Sequence, residues 1–139
     1  MHRQFGIEGT PKGKGRPRFR RNGNAVFTYT DKSTADYEAK VRGAYIEACC
    51  GEEQMFEGAL RVMINAYFTP PKSTSKREKE RLETGNVPFT KKPDADNIAK
   101  SVLDGLNGVA FKDDSQVAEL IVTKYYNAEA FVRVEIENI

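Results

Sequence analysis

The chain has 139 residues, 39% of them hydrophobic and 30% charged, and its formal net charge is +2. This size suits one domain with its own core, and the composition is that of a chain that folds. The sequence contains neither an apolar run near the ~18–20 residues of a membrane span nor an apolar signal core behind its first residues. We therefore expect a cytoplasmic protein.

The cysteines and the histidine exclude several kinds of site. Cys49 and Cys50 are adjacent, so they cannot join distant segments as a structural disulfide does, and we expect reduced thiols. His2 is the only histidine, and we expect it in a frayed terminus. The chain therefore lacks the residues for a zinc site built from His and Cys. It also lacks those for a catalytic Ser–His or Cys–His dyad. Carboxylates and lysines must carry any catalysis.

The charges are unevenly distributed along the chain. Residues 1–30 contain seven basic residues and one acid, for a net charge of +6, which leaves −4 on the remainder. A basic arm, about residues 9–21, thus precedes a mildly acidic body. This asymmetry is typical of a polyanion-binding segment beside an acidic site that attracts metal ions.

The first third of the chain predicts a strand, a loop, a hairpin and a helix. Residues 5–7 alternate as a strand does, and the Gly- and Lys-rich residues 9–15 indicate a flexible, basic loop. Residues 19–29 form a predicted hairpin, because the Asn-Gly-Asn at its centre tolerates positive φ angles. Apolar positions recur every four residues from a cap at Asp31 or Ser33 to about Cys50, which predicts a core-facing helix.

The middle of the chain predicts a central strand and two helices of different character. Residues 60–68 are a partly alternating strand. Residues 73–83 are densely charged and indicate a solvent-exposed helix, followed by a loop over residues 86–93. Residues 96–107 predict a second packed helix that ends at an Asn-Gly turn.

Two closing strands, residues 116–126 and 130–136, complete the predicted fold. Strands in runs with helices between them predict an α+β domain, in which a mixed β-sheet carries helices packed on one face. We expect residues 1–139 to form this single domain, with a long charged insert at about residues 69–91.

An acidic constellation begins at the second packed helix. Five aspartates fall within the twenty-one residues that end at Asp114. In a helix that starts at Asp96, Lys100 and Asp104 lie on one face and apolar residues cluster on the other. Asp94 precedes the helix in extended conformation and can converge on Asp96.

The segment after this helix has the length to return to the helix start. The helix rises roughly 16 Å, whereas the seven residues from Gly108 to Asp114 span up to about 23 Å if extended. Asp113 or Asp114 can therefore join the first aspartates. Crowded carboxylates repel one another unless a cation neutralises them. The expected cation is Mg²⁺, with Mn²⁺ as a substitute, because the ligands are hard oxygens.

Such a site suits phosphodiester hydrolysis. A divalent ion activates water and stabilises charge on the phosphoryl oxygens. Lys100, one turn after Asp96, is positioned to stabilise the transition state as a fixed point charge.

Each residue also has a structural interpretation. Asp96 would serve as a helix cap, Asp96, Lys100 and Asp104 as a salt-bridge ladder, and Asp113 and Asp114 as turn residues. The density of the set, its predicted convergence and the neighbouring basic arm favour the metal site.

Residues 92–100, 104–107 and 113–117 together resemble the RusA family of Holliday junction resolvases. The resemblance is dense over residues 92–117 and looser over the N-terminal strands. It implies a RusA-like fold and a homodimeric, Mg²⁺-dependent endodeoxyribonuclease that cuts two opposed strands of a four-way junction in recombination and repair. A C2 dimer would supply the two sites that a two-fold junction needs. The resemblance also implies a prokaryotic or phage-encoded protein associated with the nucleoid.

The resemblance assigns roles to residues of this chain. It implies Asp94, Asp96, Lys100 and Asp114 as catalytic residues, and Asp94, Asp96, Asp113 and Asp114 as the metal-binding set. Which of Asp113 and Asp114 is the ligand is left open.

The basic arm predicts the DNA-binding segment. Its cations alternate with Gly, Pro and Phe, so an extended arm would place them on one side and let its backbone approach phosphate. These residues are Lys12, Lys14, Arg16, Arg18 and Arg20. The cations of the 69–91 insert are diluted by glutamates and indicate a solvated surface.

Two other functions fit the same residues. One is a metal-dependent nuclease on other branched or flap DNA, since the fold does not fix the substrate. The other is a non-catalytic DNA-binding module with a structural acidic cluster.

Overall fold

The computed structural model describes residues 1–16 and 18–139. Its strands and helices match those predicted along the whole chain, with ends shifted by a few residues. The strands are β1 His2–Glu8, β2 Arg18–Asn22, β3 Ala25–Tyr29, β4 Leu60–Phe68, β5 Val117–Tyr126 and β6 Phe131–Asn138. The helices are α1 Lys32–Cys49, α2 Lys76–Thr84 and α3 Ala95–Leu106, and a 3₁₀ turn spans Asp114–Gln116.

Four strands form a mixed sheet in the order β1-β6-β4-β5. β4 pairs in parallel with β5 and antiparallel with β6, and β1 pairs antiparallel with β6. α1 packs on β1 and on α3, and α3 also contacts β5, so the two helices cover one face. The predicted α+β fold with helices on one face of a mixed sheet is confirmed.

The core lies between this sheet and the two helices. Alternate side chains of β4, from Leu60 to Phe68, are buried. The four-residue period of α1 places Tyr37, Val41 and Tyr45 in the same core. α1 begins where predicted, because the Asp31 side chain accepts a hydrogen bond from the Thr34 backbone N–H.

The second, two-stranded sheet is the predicted hairpin of β2 and β3. Asn22 pairs with Ala25, so Gly23 and Asn24 form the turn, and Gly23 has a φ of 63°. No residue of either strand is buried. The hairpin therefore stands outside the core.

The N-terminus is not frayed, which corrects the expectation for His2. His2 belongs to β1, opposite Glu137, and its Nε2 lies 2.6 Å from a carboxylate oxygen of Glu135. Pairing with the whole length of β6 holds this first strand in place. Cys49 is buried, Cys50 is exposed, and both are free thiols. Among the described residues, none of the helices combines the length and the apolarity that crossing a membrane requires.

α1 and α3 approach each other most closely at Gly105. A Cβ atom there would lie 2.8 Å from the Val41 Cβ and 3.0 Å from the Glu38 carbonyl oxygen. Real Cβ atoms do not approach another atom as closely as 2.8 Å, so only glycine at position 105 allows the two helices to cross here. In contrast, a Cβ at Gly43 of α1 would meet no atom within 4 Å.

We predict opposite effects for two glycine-to-alanine substitutions within helices. Gly105→Ala should lower the free energy of unfolding by about 1–3 kcal/mol, because the added methyl forces the helices apart. Gly43→Ala should raise it by about 0.5–1 kcal/mol through better helix propensity. Urea unfolding followed by circular dichroism measures both, and a stabilised Gly105→Ala would contradict the close packing.

Candidate active site

The start of α3 presents the first part of the predicted acidic site. Asp94 occupies the N-cap position in extended conformation, with φ −69° and ψ 153°, yet its side chain makes no cap hydrogen bond. Asp96 lies in the first turn, and both aspartates are exposed, whereas Ile98 and Val102 are buried. The predicted apolar face of α3 is buried, and Asp96 and Lys100 of the opposite face are exposed, as predicted. The Asp94 carboxylate is free to bind a ligand.

Lys100 continues the exposed face of α3, whereas the Asp104 side chain is only 23% exposed. The Lys100 Nζ lies 3.8 Å from Asp104 Oδ2, and the Lys100 side chain is 61% exposed. Lys100 thus stands one turn beyond Asp96, with its charge in solvent and only a weak ion pair to hold it.

The chain turns back tightly after α3. The Gly108 N–H donates to the Phe111 carbonyl, and Asn107 and Phe111 form a β-bridge. The Phe56 N–H donates to the Ala110 carbonyl at 2.7 Å, and Phe111 is buried. Residues 107–111 are therefore folded on themselves at the end of the helix instead of running back along it.

This turn keeps the two groups of aspartates apart within one chain. The twelve residues of α3 extend about 18 Å, and the three residues from Phe111 to Asp114 span at most ~10 Å. Asp113 and Asp114 consequently stay nearer the C-terminal end of α3. Across residues 1–16 and 18–139, no three of the predicted aspartates bring carboxylate oxygens within 4.8 Å of one another. The described part of one chain thus does not gather the predicted metal-binding aspartates into one cluster, because the return after α3 is folded and not extended, as the prediction had assumed.

Asp113 and Asp114 differ in their surroundings. Hydrogen bonds from the Ser115 hydroxyl and from backbone N–H groups lower the pKa of Asp113. Gln116 fixes the turn: its side-chain oxygen accepts from the Asp113 N–H, and its amide nitrogen donates to the Phe56 carbonyl. The Asp113 carboxylate is thus engaged within its own turn, which leaves Asp114 as the freer of the pair.

Lys14 of the basic arm is half-buried and is ion-paired within the protein. Its Nζ is 3.0 Å from Asp104 Oδ2 and hydrogen-bonds Glu38, and its side chain is only 17% exposed. Burial alone would lower the pKa of Lys14, but these two carboxylates outweigh it and raise the pKa. Lys14 therefore joins α1 to α3, which does not match the predicted alignment of all arm cations on a DNA-facing side.

Hydrogen bonds hold residues 12–15 of the arm in place, which corrects the prediction of a flexible loop there. The Ser101 hydroxyl donates to the Lys12 carbonyl at 2.7 Å, and the Lys14 N–H donates to the Asn97 carbonyl at 3.0 Å. The Gly15 N–H donates to the Thr34 hydroxyl. Residues 12–15 thus cross from the start of α3 to the start of α1.

The remaining arm cations are available to a ligand. Arg16, Arg18 and Arg20 are exposed, and Lys12 is half-buried. Arg18 comes within 3.9 Å of Asp31, a weak contact for a side chain that is 64% exposed. Three exposed arginines therefore follow residues 12–15 in the chain, and two of them belong to the β2–β3 hairpin.

Sequence reasoning missed a cluster on the other face of the sheet. In the described part of the chain, the one group of three potential ligands within 4.8 Å is His2, Glu135 and Glu137. Arg61 already lies 2.7 Å from Glu137. Only the strand register brings these residues together, so the sequence carried no signal for them.

Fold and site together define an α+β protein with acidic groups on α3 beside a row of exposed arginines. The family model "Endodeoxyribonuclease RusA" matches residues 8–137. The chain therefore belongs to the RusA endodeoxyribonuclease family, as its resemblance predicted. It is also similar to "Uncharacterized protein YqaN" of Bacillus subtilis (strain 168), with 37% identity over 141 residues that cover 98% of this chain and 96% of that protein.

We predict that Lys14 contributes to stability. Lys14→Met should lower the free energy of unfolding at pH 7 by about 2 kcal/mol, because Glu38 and Asp104 are left as facing, part-buried carboxylates. Lys12→Met, two residues earlier, is the control, since Lys12 takes part in none of the ion pairs found among residues 1–16 and 18–139.

The pH dependence of this effect has a definite sign. The pKa of Lys14 is raised from 10.5, so its stabilisation is complete at neutral pH. It is lost only as the pH rises through the folded-state value. The difference between the wild type and Lys14→Met should therefore be constant from pH 7 to 9 and shrink above about pH 10.5. If Lys12→Met and Lys14→Met lowered the free energy of unfolding equally, that result would contradict a stabilising role for the Lys14 ion pairs.

Proposed function

We propose that the protein is a Mg²⁺-dependent endonuclease that resolves four-way DNA junctions during recombination and repair. The observation that carries the proposal is the family match over residues 8–137 together with the uncapped, exposed Asp94 at the start of α3. A helix N-cap aspartate normally satisfies a backbone N–H, so one that does not is available for another partner. We expect the protein to act in the cytoplasm, on the nucleoid of a prokaryote or on phage DNA.

Asp94 and Asp96 would hold the ion in this proposal. Two exposed carboxylates offer the hard oxygens that Mg²⁺ prefers, and Mn²⁺ fits the same donors. When bound, a divalent ion supplies an activated water and a polarised phosphodiester. Lys100, exposed one turn away, would neutralise charge that develops on the phosphoryl oxygens.

Asp114 would join this site from a second copy of the chain. Within one chain the turn after α3 keeps Asp114 nearer the C-terminal end of that helix, so we propose that the third carboxylate comes from a second chain. A homodimer with C2 symmetry would form two such sites. A junction with two-fold symmetry requires two opposed cuts, which the same symmetry provides.

β5 offers a surface for such a dimer. It is an edge strand of the four-stranded sheet, and residues 87–89 cover only its last part. Leu120 and Ile121 in its uncovered part are each 44% exposed. An uncovered apolar edge strand pairs readily with another chain, and antiparallel pairing with its own copy is isologous.

The exposed arginines of the arm would bind the DNA backbone. Arg16, Arg18 and Arg20 lie in a segment with no acidic residue between Glu8 and Asp31. Release of counterions by such residues would make binding steeply dependent on salt. Lys14 is left out of this role because its charge is already paired.

Cleavage of synthetic DNA tests the proposal. The protein is incubated with four-way junction, flap and duplex DNA, with Mg²⁺ or with EDTA. We expect paired cuts in the junction in the presence of Mg²⁺ and no cuts in EDTA. The Asp94→Asn variant should no longer cut the junction but should still bind it. Preferred cutting of flaps would instead indicate a nuclease for other branched DNA. Binding without any cleavage would indicate a non-catalytic module.

Complementation between inactive variants tests whether two chains build one site. Co-expressed Asp94→Asn and Asp114→Asn chains should regain roughly a quarter of the wild-type nicking rate, since half the dimers are mixed and each holds one intact site. Asp94→Asn with Asp96→Asn is the matched control and should remain inactive, because both residues lie at the same end of α3. No recovery in the first mixture would contradict the two-chain site.

A further inference from the structure

The β2–β3 hairpin exposes aromatic side chains that the fold does not use. Phe19 is 71%, Phe27 54% and Tyr29 49% exposed. The two strands pair with each other and make only sparse contacts with the other elements of the described chain. Burial would stabilise each large apolar ring by about 1.5–3 kcal/mol. Three exposed rings on one small hairpin therefore indicate a binding surface.

Arginines are interleaved with these rings. Arg18 lies across from Tyr29, and Arg20 lies across from Phe27 in the strand register. Directly paired residues of antiparallel strands share one face, so this face combines two aromatic rings with two guanidinium groups. A shallow depression on the hairpin is lined by Phe19, Arg20, Asn22, Phe27 and Tyr29.

The charge of the hairpin selects the class of partner. Residues 16–30 contain four arginines and no acidic residue. A second copy of the same surface would be repelled by its like charge, and a partner with a purely apolar surface would leave the arginines unpaired. Nucleic acid supplies both phosphates for the arginines and bases for the rings.

The spacing of the rings favours unpaired bases. Phe27 and Tyr29 are two residues apart on one strand, which separates them by about 6.8 Å. Bases stacked in a duplex are only ~3.4 Å apart. Each ring can therefore stack on a base only where neighbouring bases have come apart, as in a single strand or at an open branch point.

The hairpin is tethered close to the proposed catalytic residues. The Lys14 N–H is hydrogen-bonded to Asn97, in the first turn of α3. The four residues from Lys14 to Arg18 span at most about 14 Å. Bases held by the hairpin would thus lie near the phosphates that reach Asp94 and Asp96.

We propose that Phe27 and Tyr29, flanked by Arg18 and Arg20, form a stacking platform for unpaired bases of branched DNA. The inference rests on the proposed function, which it deepens by giving the enzyme a means to detect an open branch point. Phosphate contacts alone hold DNA of any shape. Stacking on separated bases would discriminate against intact duplex.

Binding to two single strands that differ only in their bases tests the platform. One is a twelve-nucleotide thymidine strand and the other an abasic strand with the same number of phosphates, both fluorescently labelled and measured by anisotropy in EDTA. We expect the wild type to prefer the thymidine strand about tenfold or more, as stacking of one or two bases provides. The Phe27→Ala, Tyr29→Ala double variant should bind both strands equally.

Two further variants separate stacking from other effects. Val26→Ala alters an apolar residue that is 60% exposed and belongs to the other face of the same hairpin, so it should keep the preference. Arg20→Ala should weaken binding of both strands. None of these residues is buried, so folding should not be affected.

The inference would be overturned if the wild type bound both strands equally, or if Val26→Ala lost the preference as fully as the double variant. A fall in molecular mass of the double variant in sedimentation would overturn it in favour of an interface between copies. These binding measurements in EDTA are independent of cleavage. If the wild-type protein cleaved no DNA in the presence of Mg²⁺, that result would count against the proposed function but not against the stacking platform.

Discussion

The rigid length of α3 is the constraint on which the rest of the structure depends. Its twelve residues hold Asp94 and Asp96 at one end, and the tight turn over residues 107–111 holds Asp114 nearer the other. The turn cannot open without exposing buried Phe111 and breaking the bond from Phe56 to Ala110. A single chain therefore presents half of the expected carboxylate set in one place. This separation and the two-fold symmetry of the proposed substrate are the grounds on which we propose a two-chain site.

The cations of the basic arm differ in their surroundings. Lys14 lies between Glu38 and Asp104 and ties α1 to α3, where Gly105 allows the helices to approach. These contacts hold residues 12–15 in place, and Arg18 then lies within 3.9 Å of Asp31 at the start of α1. The same short segment thus serves the fold and carries the arginines that we propose for DNA binding.

Much of the fold could be predicted from the sequence. The alternation in β4, the four-residue period of α1 and the two faces of α3 are local patterns, and each element formed where its pattern lay. The hairpin was also predictable, since Asn-Gly specifies its turn. The family motif between residues 92 and 117 was recognisable because its acidic residues are closely spaced.

The features that were predicted wrongly from the sequence depend on contacts between residues that are far apart in the chain. The turn after α3 is set by pairing with Phe56, more than fifty residues earlier, so chain length alone allowed an extended return that does not occur. Lys14 finds its partners on two helices, and His2 is ordered by the last strand. No local pattern encodes these pairings.

The most direct test of the two-chain site is a crystal structure of the protein grown with Mn²⁺, with the ion located by its anomalous scattering. The account predicts a peak between Asp94 and Asp96 of one chain and Asp114 of another. A peak held by all three aspartates of one chain, or bound only at His2, Glu135 and Glu137, would contradict it.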